Sequence, residues 1–187
     1  MRPATIALAG LTALGLFQAG QAAVIPVKAV VAEVLLERAF ERSLAGHRPV
    51  KPWGWADMAP VARLTIPRLG FRTIILDKGS GQAMAFGPTV VAGTAVPGTR
   101  GTSVVAAHRD THFRALRGIR VGDLVGVEDV AGRTSHFRVT ATGVVRWDRF
   151  AVSPQRARPM LVLVTCFPFD SEVRGPDRFI VTAEPVT

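Results

Sequence analysis

The chain has 187 residues, 48% of them hydrophobic, which allows one ordinary domain with a real core plus a tail and excludes general disorder. Lys and Arg total 23 against 14 acids, giving a formal charge of +9 and a pI near 11.4. That balance suits an anionic neighbour, yet the arginines are scattered without interleaved aromatics, which argues against a DNA- or RNA-binding module.

No charged residue occurs from Ala4 to Pro26, and Ile6 to Phe17 is strongly apolar. A cleaved signal peptide would use the short apolar core and the small residues Ala19 to Ala23. An uncleaved anchor needs roughly 20 apolar residues, and the return of apolar character at Ala29 favours that choice. Residues 1–26 are therefore expected to form a membrane anchor or signal segment, leaving the remainder on the far side of the membrane.

Val27 to Leu44 reads as a helix, with Val30, Val31, Val34 and Leu35 at helical spacing and Gly46 and Pro49 ending it. The Pro- and Trp-rich stretch His47 to Pro60 completes a linker over residues 27–60 that packs irregularly on the C-terminal domain. Residues 61–187 alternate short apolar runs with Gly and Pro. The expected strands are Val61–Ile66, Arg72–Leu76, Ser103–Ala107, Leu124–Val127, His136–Val145, Met160–Cys166 and Phe179–Ala183, with a weaker one at Thr89–Ala92. Ala131-Gly132-Arg133 suits a hairpin turn, and short helices fit near Gly81–Phe86 and Phe113–Gly118. This spacing predicts an all-β fold, a closed barrel or a sandwich.

The chain has one cysteine. In an exported protein an odd cysteine is a free thiol or an intermolecular partner. Cys166 ends the apolar run Met160 to Thr165 and is followed by Phe-Pro-Phe-Asp, which cannot continue a central strand, so it is displayed at a strand end. The bland alternative is an inert buried thiol. His108 mirrors that context at the end of Ser103 to Ala107, and a cysteine needs a base or cationic neighbour to become a thiolate near neutral pH. Arg178 opens the last strand, where a guanidinium could meet a developing oxyanion; Arg174 is its rival. His47, His112 and His136 are read as structural.

A His at one strand end, a Thr-Cys at another and an Arg opening the C-terminal strand together resemble the sortase family of cysteine transpeptidases. The family signature Thr-Leu-x-Thr-Cys corresponds here to Val162-Leu163-Val164-Thr165-Cys166, with Val in place of the first Thr. Ala62 to Gly70 is similar to the family's entry strand, and the resemblance covers about residues 60 to 184. Lys51 to Asp57, His108 to Phe113 and Cys166 to Asp170 look most like the Gram-negative (proteobacterial) subgroup. Ala106-Ala107-His108 lacks the Gly often found before this His.

The resemblance implies a closed eight-stranded barrel. It implies that Cys166 cleaves a Leu-Pro-x-Thr-Gly-like C-terminal sorting signal after Thr through a thioester acyl-enzyme, then passes the acyl group to an amine or to water. His108 would act as acid and base, and Arg178 would hold a carbonyl or oxyanion. Thr165, with Phe150 and Val152 of the Trp147 to Pro159 loop, would bind substrate. The implied partner is a protein carrying that signal, with an unidentified amine acceptor, and the implied place is the inner membrane, single-pass, with the catalytic domain in the periplasm. No cofactor and no metal are expected, because Asp148 is that loop's only acid and calcium needs several oxygen ligands. Two other readings differ in class. An L,D-transpeptidase-like cell-wall enzyme would carry Ser-His-Gly-Cys, which Val-Thr-Cys does not match. A non-catalytic, membrane-anchored basic barrel would keep Cys166 unreactive.

Overall fold

The computed structural model describes residues 3–77, 79–171, 173 and 175–186. All eight expected strands form: β1 (Pro60–Ile66), β2 (Phe71–Leu76), β3 (Thr89–Val90), β4 (Gly101–Ala106), β5 (Leu124–Asp129), β6 (Thr134–Arg146), β7 (Pro159–Cys166) and β8 (Asp177–Pro185). They close into a barrel in the order β1-β2-β3-β4-β7-β8-β6-β5. Alternation along each strand decides which side chains fill it. Ala62, Leu64 and Ile66 of β1, Leu161 and Leu163 of β7, and Val181 and Ala183 of β8 point inward with Phe113, Leu116 and Phe137. The hairpin between β5 and β6 turns at Gly132, whose φ of 78° lies in the left-handed region that glycine enters without a Cβ clash.

Residues Pro3 to Gly46 form one uninterrupted helix, α1. Among the described residues, no helix is long and apolar enough to cross a membrane.

The second half of α1 docks on the outward faces of β1 and β2. Leu36 and Phe40 are buried with Ile74, Leu76, Ala56 and Met58, each worth roughly 1.5–3 kcal/mol on burial. Arg63, outward on β1, reaches Glu37 at 3.0 Å, Glu128 at 2.8 Å and also Glu41, with its guanidinium 4.5 Å from the Phe40 ring centre. Arg72 of β2 also pairs with Glu37 at 2.9 Å. Half-exposed ion pairs contribute about 0–1 kcal/mol each, so burial holds the helix on and the charges fix its register. The 47–59 stretch packs beneath it irregularly, as its prolines imply, with Trp53 stacked edge-on against Phe86 at 5.2 Å.

One end of the barrel is stoppered by the single turn Arg114–Gly118 (α3), whose Leu116 is buried together with the flanking Phe113 and Ile119. The expected helix near Gly81 also forms, as α2 (Gly81–Met84). Arg68 pins the stopper, donating to Asp123 at 2.5 and 2.7 Å and to the Gly118 carbonyl at 2.5 Å. The Arg68 hydrogen bond holds the Asp123 carboxyl below its usual range, against the opposing effect of burial. Because the folded value is lowered, this stabilisation is complete above the unfolded carboxylate pKa of about 3.9 and is lost as pH falls through the folded value. Asp123→Asn should therefore melt at lower temperature at pH 7 and show a flatter dependence of Tm on pH below 4. Parallel curves for the two proteins would remove Asp123 from this role.

Candidate active site

β7 lies between a parallel neighbour, β4, and an antiparallel one, β8. Because β4 and β7 run the same way, both deliver their C-terminal residues to one barrel end, where β8 begins. The register pairs Ala106 with Val164, and Ala107 N–H still donates to the Val164 carbonyl at 3.2 Å. His108 therefore arrives alongside Cys166. On the other side Cys166 faces Arg178 across the antiparallel ladder, where opposed Cβ atoms sit about 4.5–5.5 Å apart. Cys166 and Arg178 thus occupy paired positions on adjacent strands, with His108 in the segment two residues past the end of β4.

Strand parity puts Cys166 and Arg178 on one face. Val104, Val162, Val164 and Ile180 point out of the barrel and form a separate cluster, and Cys166 and Arg178 share that parity; His108 follows two residues after the end of β4. Cys166 is half-buried and His108 exposed. Phe150 and Val152 pack against the same outward cluster, so the loop that sequence analysis singled out covers the face on which the thiol emerges. The loop is tied down by Thr102, whose N–H reaches the Pro154 carbonyl at 3.0 Å and whose hydroxyl donates to the Ser153 carbonyl at 2.6 Å. Gly101 makes the approach possible: its φ is +105°, and a Cβ there would lie 2.7 Å from the Pro154 oxygen.

Thr165 has the opposite parity. It is 2% exposed, and its hydroxyl donates to the Ala107 carbonyl at 2.8 Å. The hydroxyl thus ties the residue before His108 to the strand that carries Cys166. Arg178 turns one guanidinium nitrogen, Nη1, onto the Gly175 and Asp177 carbonyls, each at 2.9 Å, which fixes the side chain over the start of β8. Arg174, its rival, lies outside the described residues.

Sequence reasoning missed Arg109. It reads as one more arginine in a basic chain, yet it is only 8% exposed. Its Nη2 donates to the Val173 carbonyl at 2.9 Å and to that of Ser171, so the residue after His108 grips the loop after Cys166. The available signal was position, since a charged residue directly following an apolar strand must find partners or solvent. That loop is also held by aromatic contacts: Phe179 meets Phe169 at 5.3 Å and Phe167 at 6.4 Å. Among the described residues no three His, Cys, Asp or Glu side chains gather as metal ligands.

Comparison with known proteins agrees with this geometry. A family model described as a Sortase domain matches residues 64–186. Sortase D of Bacillus subtilis is 26% identical over 124 residues, covering 66% of this chain and 63% of that protein, so the chain spans less than two thirds of this relative. Among solved structures, a Clostridium perfringens Sortase D5 transpeptidase superposes with a TM-score of 0.68 at 20% identity, over 84% of this chain and 99% of that one. Sortase C-1 of Actinomyces oris gives 0.58 at 27% identity, over 68% and 75% respectively.

Proposed function

The chain belongs to the sortase family, and from that premise we propose that it is a cysteine transpeptidase acting on proteins with a Leu-Pro-x-Thr-Gly-like C-terminal signal. The observation that supports this is the pairing of Cys166 with Arg178 across β7 and β8, at the barrel end where parallel β4 leads into His108. In this reading the Cys166 thiolate attacks the Thr carbonyl, and His108 gives its proton to the leaving amine. Arg178 steadies the oxyanion, and Phe150 and Val152 wall the signal's path. An amine, or water, then releases the acyl group from the thioester while His108 accepts a proton. The motifs at Lys51–Asp57, His108–Phe113 and Cys166–Asp170 support a place in the Gram-negative subgroup. The uncharged segment from Ala4 to Pro26 supports export and work at the periplasmic side of the inner membrane.

The test is chemical. Incubated with a Leu-Pro-x-Thr-Gly peptide, the protein should form a thioester adduct on Cys166 detectable by intact mass, and kcat/KM should be bell-shaped in pH. Alkylation of native Cys166 should slow at least about ten-fold in His108→Ala. A thiol modified only after denaturation, with no adduct formed, would point to the binding barrel instead.

A further inference from the structure

His108 is bracketed by two residues that are each tied to the segment carrying Cys166. Before it, Ala107 donates its N–H to the Val164 carbonyl at 3.2 Å, and its own carbonyl accepts from the Thr165 hydroxyl at 2.8 Å. After it, Arg109 donates from Nη2 to the Val173 carbonyl at 2.9 Å and to the Ser171 carbonyl. The first clamp holds the chain just ahead of Cys166, and the second holds the loop just beyond it. The first is made by the strand backbone and one hydroxyl. The second depends on a single side chain.

The loop is shaped to receive it. The Ser171 Oγ accepts from the Val173 N–H at 3.1 Å, a turn that brings carbonyls two residues apart onto one nitrogen. At the loop's base the Phe167 N–H reaches the Asp177 carbonyl at 3.0 Å, and Arg178 holds the Gly175 and Asp177 carbonyls. The far side of the loop is thus fixed where β8 begins, and Arg109 ties its middle to the His108 side. Arg117 also pairs with Asp170, but both side chains are exposed, where an ion pair holds little.

The energetics set Arg109 apart from a packing residue. It is buried, yet its acceptors are neutral carbonyls, and Nη1 is buried with no acceptor among the described residues. Burying a guanidinium without a carboxylate partner, and with a donor unmet, costs stability. That is a poor way to steady a loop which Phe179 already packs against, and it suits a place where geometry matters more than stability.

We infer that Arg109 is a positioning residue for the acyl transfer: by joining the chain after His108 to the loop after Cys166, it fixes the imidazole relative to the thiol. For its effect on turnover this role rests on the transpeptidase reading. Arg109 acts through His108, whose backbone is then held on both sides. A lysine would keep the charge, but its flexible point donor cannot hold two carbonyls as a planar fork does.

Arg109→Lys and the apolar Arg109→Met should both lower kcat for a Leu-Pro-x-Thr-Gly peptide, by about ten-fold and about 10²-fold, with KM within about three-fold of wild type. Ser171→Ala, which keeps both carbonyls and removes the turn bond, should give a smaller loss of the same kind. Alkylation of Cys166 by iodoacetamide, measured well below each variant's Tm, separates this role from a merely structural one. Arg109→Lys should slow it about five-fold while His108 is present, and should change nothing in the His108→Ala background, as for residues that act as a unit. An equal loss in both backgrounds, or none in either, overturns the positioning role. Should Arg109→Met fail to fold, Arg109→Lys and Ser171→Ala carry the same test. If the wild-type protein cleaves no peptide while the His108-dependent slowing is seen, the transpeptidase premise falls and the positioning role stands. If peptide is cleaved and the slowing is independent of His108, the premise stands and the positioning role falls.

Discussion

Cys166→Ala should abolish cleavage of a sorting peptide, lowering turnover by a factor on the order of 10⁴–10⁶, as loss of a catalytic nucleophile does. The fold should tolerate the change. Cys166 is half-buried at the end of β7, forms no disulfide, and loses only one sulfur atom, so the cost in stability is about 1 kcal/mol or less. A thermal melt within a few degrees of the wild-type Tm, combined with no thioester and no cleavage, is the expected pair of results. Residual turnover above about one percent, with the melt preserved, would remove the thiol from the chemistry. It would leave Cys166, Arg178 and the neighbouring His108 without a reaction to perform.

Arg178→Ala should be the next most damaging single change. Loss of one oxyanion donor costs about 10²–10³ in kcat, and Lys cannot replace the planar guanidinium fork, so Arg178→Lys should recover only part. The side chain also holds the Gly175 and Asp177 carbonyls through Nη1, so its removal loosens the β8 approach as well. The two effects separate kinetically. A loss confined to kcat reports stabilisation of the oxyanion, whereas a loss carried by KM reports placement of the signal peptide. Wild-type kinetics in Arg178→Ala would assign the oxyanion to Arg174 or to backbone amides.

Much of the barrel was legible in the chain because its strands are short apolar runs punctuated by Gly and Pro, and each of these punctuation marks has a local cause. The strand ends at His108 and Cys166 were readable for the same reason. Pairing was not readable, since the parallel contact of β4 with β7 depends on crossovers that no local pattern encodes. Thr165 shows what strand parity adds. Its place next to Cys166 suggests a shared surface, but successive residues of a strand face opposite ways, and its hydroxyl turns inward to Ala107. Arg63 and Arg109 were hidden differently, because a buried arginine and a solvated one look identical until the elements around them are assembled. The long helix was expected as two segments, an anchor over 1–26 and a helix from Val27 to Leu44, and local patterning gave no sign that the chain runs from one into the other as helix.

That helix has a mechanical meaning. Its 44 residues make a rod of about 66 Å, and its distal portion, near Leu36 and Phe40, is pressed against the barrel. Arg63 and Arg72 bolt that portion to two neighbouring strands, so little swivel is left at the joint. Whatever grips the opposite tip would steer the whole domain, and a tilt of a few degrees there would sweep the thiol through several ångströms.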